Sequence, residues 1–199
     1  ASARRENLLL ELEKNNSNIH AFPLDVVDIN RVKIVFENII KKIGDIDLCV
    51  FSTGAYDPKL EREINEKQIR DVMEVNFFGT LNCVKAVEKY YKDKMSGHFS
   101  IVSSVSGYRG LPNSTGYGAS KAALIHLAES LYLDFIRYNV RVSLISPGFI
   151  KTPMTDKNTF KMPFIKSSEF AAEKIYKGLV KSKAFEIQMI HGVTLQKQH

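Results

Sequence analysis

Cysteine is scarce in this chain of 199 residues, which holds only Cys49 and Cys83. The two lie far apart, each in an apolar segment, with none of the close spacings by which thiols hold a metal. They read as reduced core thiols of an intracellular protein, with no metal site. Long apolar runs are also missing. Nothing approaches the ~20 residues that a helix needs to cross a bilayer, and the opening ASARREN has no apolar core of a signal peptide. A cytoplasmic protein without a membrane span is expected. Blocks of like charge are absent too. The net charge is +6, but the basic residues are scattered and no run reaches five. That argues against nucleic-acid binding, whereas a basic enzyme with an anionic ligand accounts for the charge. No internal repeat or low-complexity segment is visible.

What remains is a globular composition, 44% hydrophobic and 25% charged, at a length that suits one domain with a real core. Apolar runs and helical periods alternate along it. IHAF (Ile19–Phe22), stopped by Pro23, reads as a short strand. Ile29 to Ile43 carries a helical period of apolar residues. LCVF (Leu48–Phe51) reads as a buried parallel strand, and a long helical segment follows from about Glu66 to Lys92. HFSIVSS (His98–Ser104) and VRVSLIS (Val140–Ser146) read as strands, a helix is expected over Ser168 to Lys181, and FEIQMI reads as a last strand. Such alternation implies βαβ units: an α/β fold, doubly wound, with a mainly parallel sheet and helices on both faces. In such sheets ligands sit at the C-terminal strand ends. Ser52-Thr53-Gly54, Ser103-Ser104 and Pro147-Gly148 each follow a strand there.

GYGASKAAL (Gly116–Leu124) places Tyr117 four residues before Lys121, on one face of a helix. Spacing alone does not make this a catalytic couple, because Tyr90 and Lys94 share it. The second pair ends a long helix beside a charged KDK run, with no serine at a strand end before it. It reads as a solvated helix end, with Lys94 set against the helix dipole. His126, nine residues beyond Tyr117, reads as a packing or interface histidine; His191 and His199 show no usable pattern.

The block IVSSVSGYRGLPNSTGYGASKAAL (Ile101–Leu124), with its paired serines and YxASK, resembles the active-site segment of the short-chain dehydrogenase/reductase family. VNFFGT (Val75–Thr80), SPGFIKT (Ser146–Thr152) and PLDVVD (Pro23–Asp28) are similar to further motifs of that family, in the right order. The resemblance runs to about Ile187 and implies a Rossmann-like fold and an NADP-dependent carbonyl reductase or alcohol dehydrogenase. It implies that Tyr117 is the general acid/base, Lys121 its charged partner and a grip on the nicotinamide ribose. Ser104 would hold the substrate oxygen, and Asn76 a water that relays protons to Lys121. A nearby ammonium favours phenolate, so Lys121 is expected to lower the Tyr117 pKa. Cofactor contacts are expected from Asp25, Gly54, Pro147, Gly148, Ile150 and Thr152, besides Tyr117 and Lys121. Arg4 and Arg5 fall where the family's basic residues bind a 2′-phosphate, which favours NADP(H) over NAD(H).

Two departures stand out. The family's NNAG reads FSTG (Phe51–Gly54) here, and no Gly-rich phosphate loop occurs in the sequence. The expectation is an N-terminally incomplete single domain over residues 1–199, whose first βα unit, central in the family's sheet, lies outside it. Phe149, Met154, Phe160, Met162 and Phe164 follow Pro147-Gly148, where the family has its substrate lid, and suit an apolar carbonyl as well as core packing. Alternatives are a 3-oxoacyl-carrier-protein reductase, whose acidic partner would suit the basic surface, and a non-catalytic binding protein that keeps the fold. A homodimer or homotetramer is implied by the resemblance alone.

Overall fold

The computed structural model describes residues 1–181 and 186–190. Six α-helices and four strands are found among them: α1 (Glu6–Asn15), α2 (Ile29–Ile43), β1 (Cys49–Phe51), α3 (Glu66–Met73), α4 (Gly79–Lys94), β2 (Gly97–Val102), α5 (Thr115–Phe135), β3 (Val140–Pro147), α6 (Ser168–Lys181) and β4 (Glu186–Ile190). The strands form one parallel sheet in the order β1-β2-β3-β4. Register explains how the apolar alternation is used. Phe99 lies opposite Val142 and Ile101 opposite Leu144. These four are fully buried on one face against Val84, Val87 and Tyr91 of α4 and Leu124, Ala128 and Phe135 of α5. Ile145 turns to the other face, where it packs with Ala171 and Leu179 of α6 and with Val102. Helices thus cover both faces, and each fully buried large side chain contributes roughly 1.5–3 kcal/mol.

The amphipathic periods of α2 and α6 mark their bounds in the sequence. Asp28 caps α2 by accepting from the Arg31 amide at 2.9 Å, and Gly44 ends it at φ 104°, a conformation that a side chain would strain. The expected single helix from Glu66 runs to Lys94 but is broken by a π turn over Glu74–Phe78. The turn carries Asn76 into the interior, where it is fully buried.

Two expected strands differ. Leu48–Phe51 is not buried: β1 covers Cys49–Phe51, pairs only with β2 among the described residues, and leaves Leu48 39% and Val50 46% exposed. Ile19–Phe22 is not a regular strand. Its backbone is laddered to Ala1–Ala3 by three bonds, Ala1 N to His20 O at 2.7 Å, Phe22 N to Ala1 O at 2.9 Å and Leu24 N to Ala3 O at 3.0 Å. Pro23, which has no N–H, falls between the donating amides of Phe22 and Leu24 and leaves the ladder intact. Between this ladder and β1 runs a trench of about 660 Å³, floored by Val32, Val35 and Phe36 of α2 and Cys83 and Val87 of α4.

Close approach explains several glycines. A Cβ on Gly107 would stand 2.8 Å from Ile125 Cδ1 and 2.9 Å from the Lys121 backbone. Gly107→Ala is therefore expected to lower unfolding stability by about 1–3 kcal/mol in urea titration; an unchanged midpoint would show that α5 yields freely.

Candidate active site

The C-terminal ends of β1 and β2 stop short of the first turn of α5, and the site lies where they converge. Lys121, one turn into α5, is 3% exposed. Its ammonium donates to Thr53 O at 3.2 Å and to Val102 O at 3.0 Å, one carbonyl just past each strand end or at it. Burial pulls its pKa down to about 8. The same ammonium stands 5.7 Å from the centre of the Tyr117 ring. The Ser104 side chain lines the same small cavity as Tyr117 and lowers its pKa, and its hydroxyl accepts from Ser106 N at 3.3 Å and Ser106 Oγ at 3.0 Å. Those bonds fix the Ser104 hydroxyl at the start of the Val105–Gly107 turn.

The Tyr117 pKa departs from the sequence expectation. Burial pushes the phenol above its ordinary value, the Ser104 hydrogen bond draws it down, and the Glu61 carboxylate pushes it up again. With burial the largest influence and the phenol raised above its ordinary value, Tyr117 is a protonated phenol at neutral pH in this state.

Asn76 serves as a clamp. Its Oδ1 accepts from Ala55 N at 2.6 Å, and its Nδ2 donates to Ala55 O at 3.1 Å and Ser120 Oγ at 2.9 Å. The amide thus ties the loop after β1 to α5. The small residues between Tyr117 and Lys121 serve packing rather than ligand approach: a Cβ on Gly118 would lie 3.1 Å from Ser106 O, and Ser120 Oγ donates to Tyr117 O at 2.7 Å.

The pair with the same spacing has the same reach, Lys94 lying 5.7 Å from the Tyr90 ring centre. Its partners differ. Tyr90 donates to Asp45 at 2.9 Å and accepts from Ile46 N at 3.1 Å, while Lys94 bridges Asp45 and Asp47 at 3.2 and 3.1 Å. Instead of a merely solvated helix end, this pair fastens the loop that leads into β1.

Two cavities flank the site, one lined by Thr53, whose carbonyl Lys121 holds, the other by Tyr117. Arg4, Arg5, Asp25, Thr53 and Gly54 line the trench. Asp25 is turned on its own loop, accepting from Val27 N at 3.1 Å. A Cβ on Gly54, which lines the trench, would lie 3.8 Å from Lys121 Nζ and 3.9 Å from Met154 Cε, at ordinary contact distances. The second cavity, about 70 Å³, is lined by Ser104, Tyr117 and Gly148 among apolar side chains. Of the expected lid residues, Phe149, Met154 and Phe160 line it, whereas Phe164 is 79% exposed. Met162 takes part through its sulfur, which accepts from Asn158 Nδ2 at 3.2 Å. Pro147, Ile150 and Thr152 line neither cavity. Pro147 ends β3, Ile150 packs toward α6, and Thr152 is hydrogen-bonded to Thr155 at 2.9 Å. His126 is exposed, and His191 and His199 lie outside the described residues.

Tyr56 and Glu61 were not legible as site residues. The Tyr56 ring centre is 4.8 Å from that of Tyr117, and its hydroxyl donates to Asn113 O at 3.0 Å. Both residues sit in an irregular loop with no period, reaching partners more than fifty positions away.

A doubly wound α/β sheet with Ser, Tyr and Lys gathered at its strand ends has its polar groups where open α/β folds place their ligand sites. The family model for short chain dehydrogenases matches residues 1–162. The chain belongs to this family. It is 34% identical over 152 residues to a 3-oxoacyl-[acyl-carrier-protein] reductase of Thermotoga maritima, covering 76% of this chain and 62% of that protein. It is 31% identical over 151 residues to a 2,3-dihydro-2,3-dihydroxybenzoate dehydrogenase of Bacillus subtilis, covering 75% and 57% respectively. The chain thus spans about three-fifths of the length of these relatives. In fold it is similar to ElxO, solved with NADP bound, at a TM-score of 0.82 and 22% identity over 96% of this chain and 86% of that one. No helix among the described residues is long and apolar enough to cross a membrane.

The low Lys121 pKa has a consequence for stability. Between pH 8 and the ordinary lysine value of 10.5, the unfolded chain holds a proton that the folded one has released, so folded stability rises with pH in that window. Relative to Lys121→Met, the wild type is expected to gain on the order of 1–2 kcal/mol of unfolding free energy from about pH 7.5 to 9.5 in parallel urea titrations. A constant difference between the two proteins would refute the buried charge.

Proposed function

We propose that this chain is the catalytic portion of an NADP(H)-dependent oxidoreductase that interconverts a carbonyl and an alcohol. The observation that carries the reading is the convergence of the Tyr117 phenol and the Ser104 hydroxyl on the small cavity, with the buried Lys121 ammonium 5.7 Å from the tyrosine ring centre. When bound, a nicotinamide nucleotide supplies or accepts the hydride. This chain's residues supply the rest. Ser104 holds the carbonyl oxygen, and Tyr117 gives that oxygen its proton, for which a phenol that stays protonated at neutral pH is suited. Lys121 then stabilises the phenolate left behind, since an ammonium favours the ionised form. Asn76 acts by holding the loop after β1 against α5, and a water held beside it would relay protons to Lys121.

The residues present fit the cofactor at two of its parts. Arg4 and Arg5 at the trench suit a 2′-phosphate, which supports NADP(H) over NAD(H), with Asp25 near the adenine side. Gly54 lines the trench beside Lys121, which would hold the nicotinamide ribose. The pyrophosphate has no Gly-rich cradle in the sequence. We propose that a further N-terminal strand, Gly-rich turn and helix complete the domain in the trench between Ala1–Ala3 and β1. The exposed edge at Val50 and the trench's apolar floor support this.

The small cavity beside Tyr117, walled by Tyr56, Leu111, Phe149, Met154 and Phe160, favours an apolar carbonyl substrate. A 3-oxoacyl-carrier-protein substrate is a second reading, favoured by the similar Thermotoga reductase and by the net charge of +6. Activity on a carrier-protein-bound ketoester, absent with the free ester, selects the second. A cytoplasmic homodimer or homotetramer completes the proposal, by family resemblance.

Tyr117→Phe is expected to reduce NADPH-dependent carbonyl reduction by about 10²–10⁴-fold while NADPH fluorescence titrations stay unchanged. Full activity in that variant overturns the mechanism. A chain extended with a Gly-rich strand–helix unit is expected to bind NADPH at micromolar levels, more tightly than residues 1–199 alone; equal affinities count against the trench assignment.

A further inference from the structure

We propose that Glu61 is a positioning residue for the reaction: its carboxylate, seated on the first amides of α5, sets the place and the charge surroundings of the Tyr117 hydroxyl. The inference rests on Tyr117 being the proton donor proposed above.

A helix N-terminus leaves its first amides without partners inside the helix. In α5 the residue at the cap position, Ser114, makes no side-chain capping bond. The partner comes from a loop 55 positions away. Glu61 Oε2 accepts from Gly116 N at 3.0 Å, and Oε1 accepts from Tyr117 N at 3.1 Å. The side chain is nearly shut off from water, with 4% of the residue exposed. An anion suits this end of a helix, and the two bonds fix the backbone of the residue that carries the phenol. A neutral cap would satisfy the same amides without burying a charge, because burying a carboxylate is costly. Burial raises the Glu61 pKa and only the two amides oppose it, with no cation among the groups that act on it.

Glu61 also acts through space on the phenols beside it. Tyr117 is faced by Glu61 and Tyr56 from the loop after β1, by Ser104 from the turn after β2, and by Lys121 on its own helix. On the near side of α3, Ile69 packs against Gly116 and brings no charge. Glu61 pushes both Tyr117 and Tyr56 toward the protonated form, Tyr56 rising to about 12 chiefly through burial. Glu61 thus adds to burial in keeping the proton on the Tyr117 oxygen until a stronger cationic influence arrives. That holds the site ready for reduction.

The test needs neither cofactor nor substrate. Phenolate absorbance is followed in rapid pH jumps, and subtracting the Tyr117→Phe protein isolates Tyr117. The same subtraction is made with Glu61→Gln and with the Glu61→Gln, Tyr117→Phe double variant. The expected result is a Tyr117 midpoint lowered by about 0.5–1 pH unit in Glu61→Gln. An unchanged midpoint with a lowered melting temperature makes Glu61 a structural cap and overturns the proposal. If Glu61→Gln does not fold, Glu61→Asp decides, because its shorter carboxylate cannot keep both amides. A smaller downward shift is expected there, and no shift overturns the proposal. Since the titration reads Tyr117 directly, its outcome is separate from whether Tyr117→Phe loses carbonyl reduction.

Discussion

A single ammonium holds the site together. Lys121 Nζ is pinned by Thr53 O and Val102 O, carbonyls that belong to two neighbouring strand ends, while its backbone belongs to α5. Removing a lysine from water costs several kcal/mol unless its hydrogen bonds are met. These carbonyls meet two of them only if β1, β2 and α5 keep their mutual positions. The core of Phe99, Ile101, Leu124 and Ala128 enforces those positions, and the tight seat of Gly107 on the Lys121 backbone fixes how far α5 stands from the sheet. Stability and chemistry therefore rest on the same geometry. A charge held at such a cost also explains why Tyr117 has a partner ready to receive a phenolate.

Around that point the structure separates two tasks. The trench side carries Arg4, Arg5, Asp25 and Gly54, and the lid side carries Phe149, Met154 and Phe160. Asn76 and Glu61 work behind both, one binding the loop after β1 to α5, the other capping α5 itself. Each has its side chain engaged by protein groups, so each acts on the reaction through the residues it holds.

Much of this was legible in the sequence, for physical reasons that differ by element. The apolar periods of α2 and α6 gave their bounds, and the continuous apolar runs placed β2 and β3 with ends that differ slightly, because burial acts on whole faces. The π turn at Glu74–Phe78 was illegible, since it uses the same residue types as the helix around it. An apolar run signals burial, not by what: Cys49–Phe51 faces the trench, and its exposed edge is a matter of neighbours. Tyr90 and Lys94 match the spacing and even the ring distance of Tyr117 and Lys121. Only the strand-end carbonyls and Ser104 separate the two pairs. Tyr56 and Glu61 stayed hidden because their partners are distant in sequence and their loop has no period.

The measurement that bears most directly on this account is the titration of the lysine side chains by NMR, with ¹³C at Cε. Lys121 is expected to titrate near pH 8, well below an ordinary lysine at 10.5, and its resonance is expected to vanish in Lys121→Met. A Lys121 resonance that titrates with the solvated lysines would mean that the ammonium is hydrated, and the site as described would not stand.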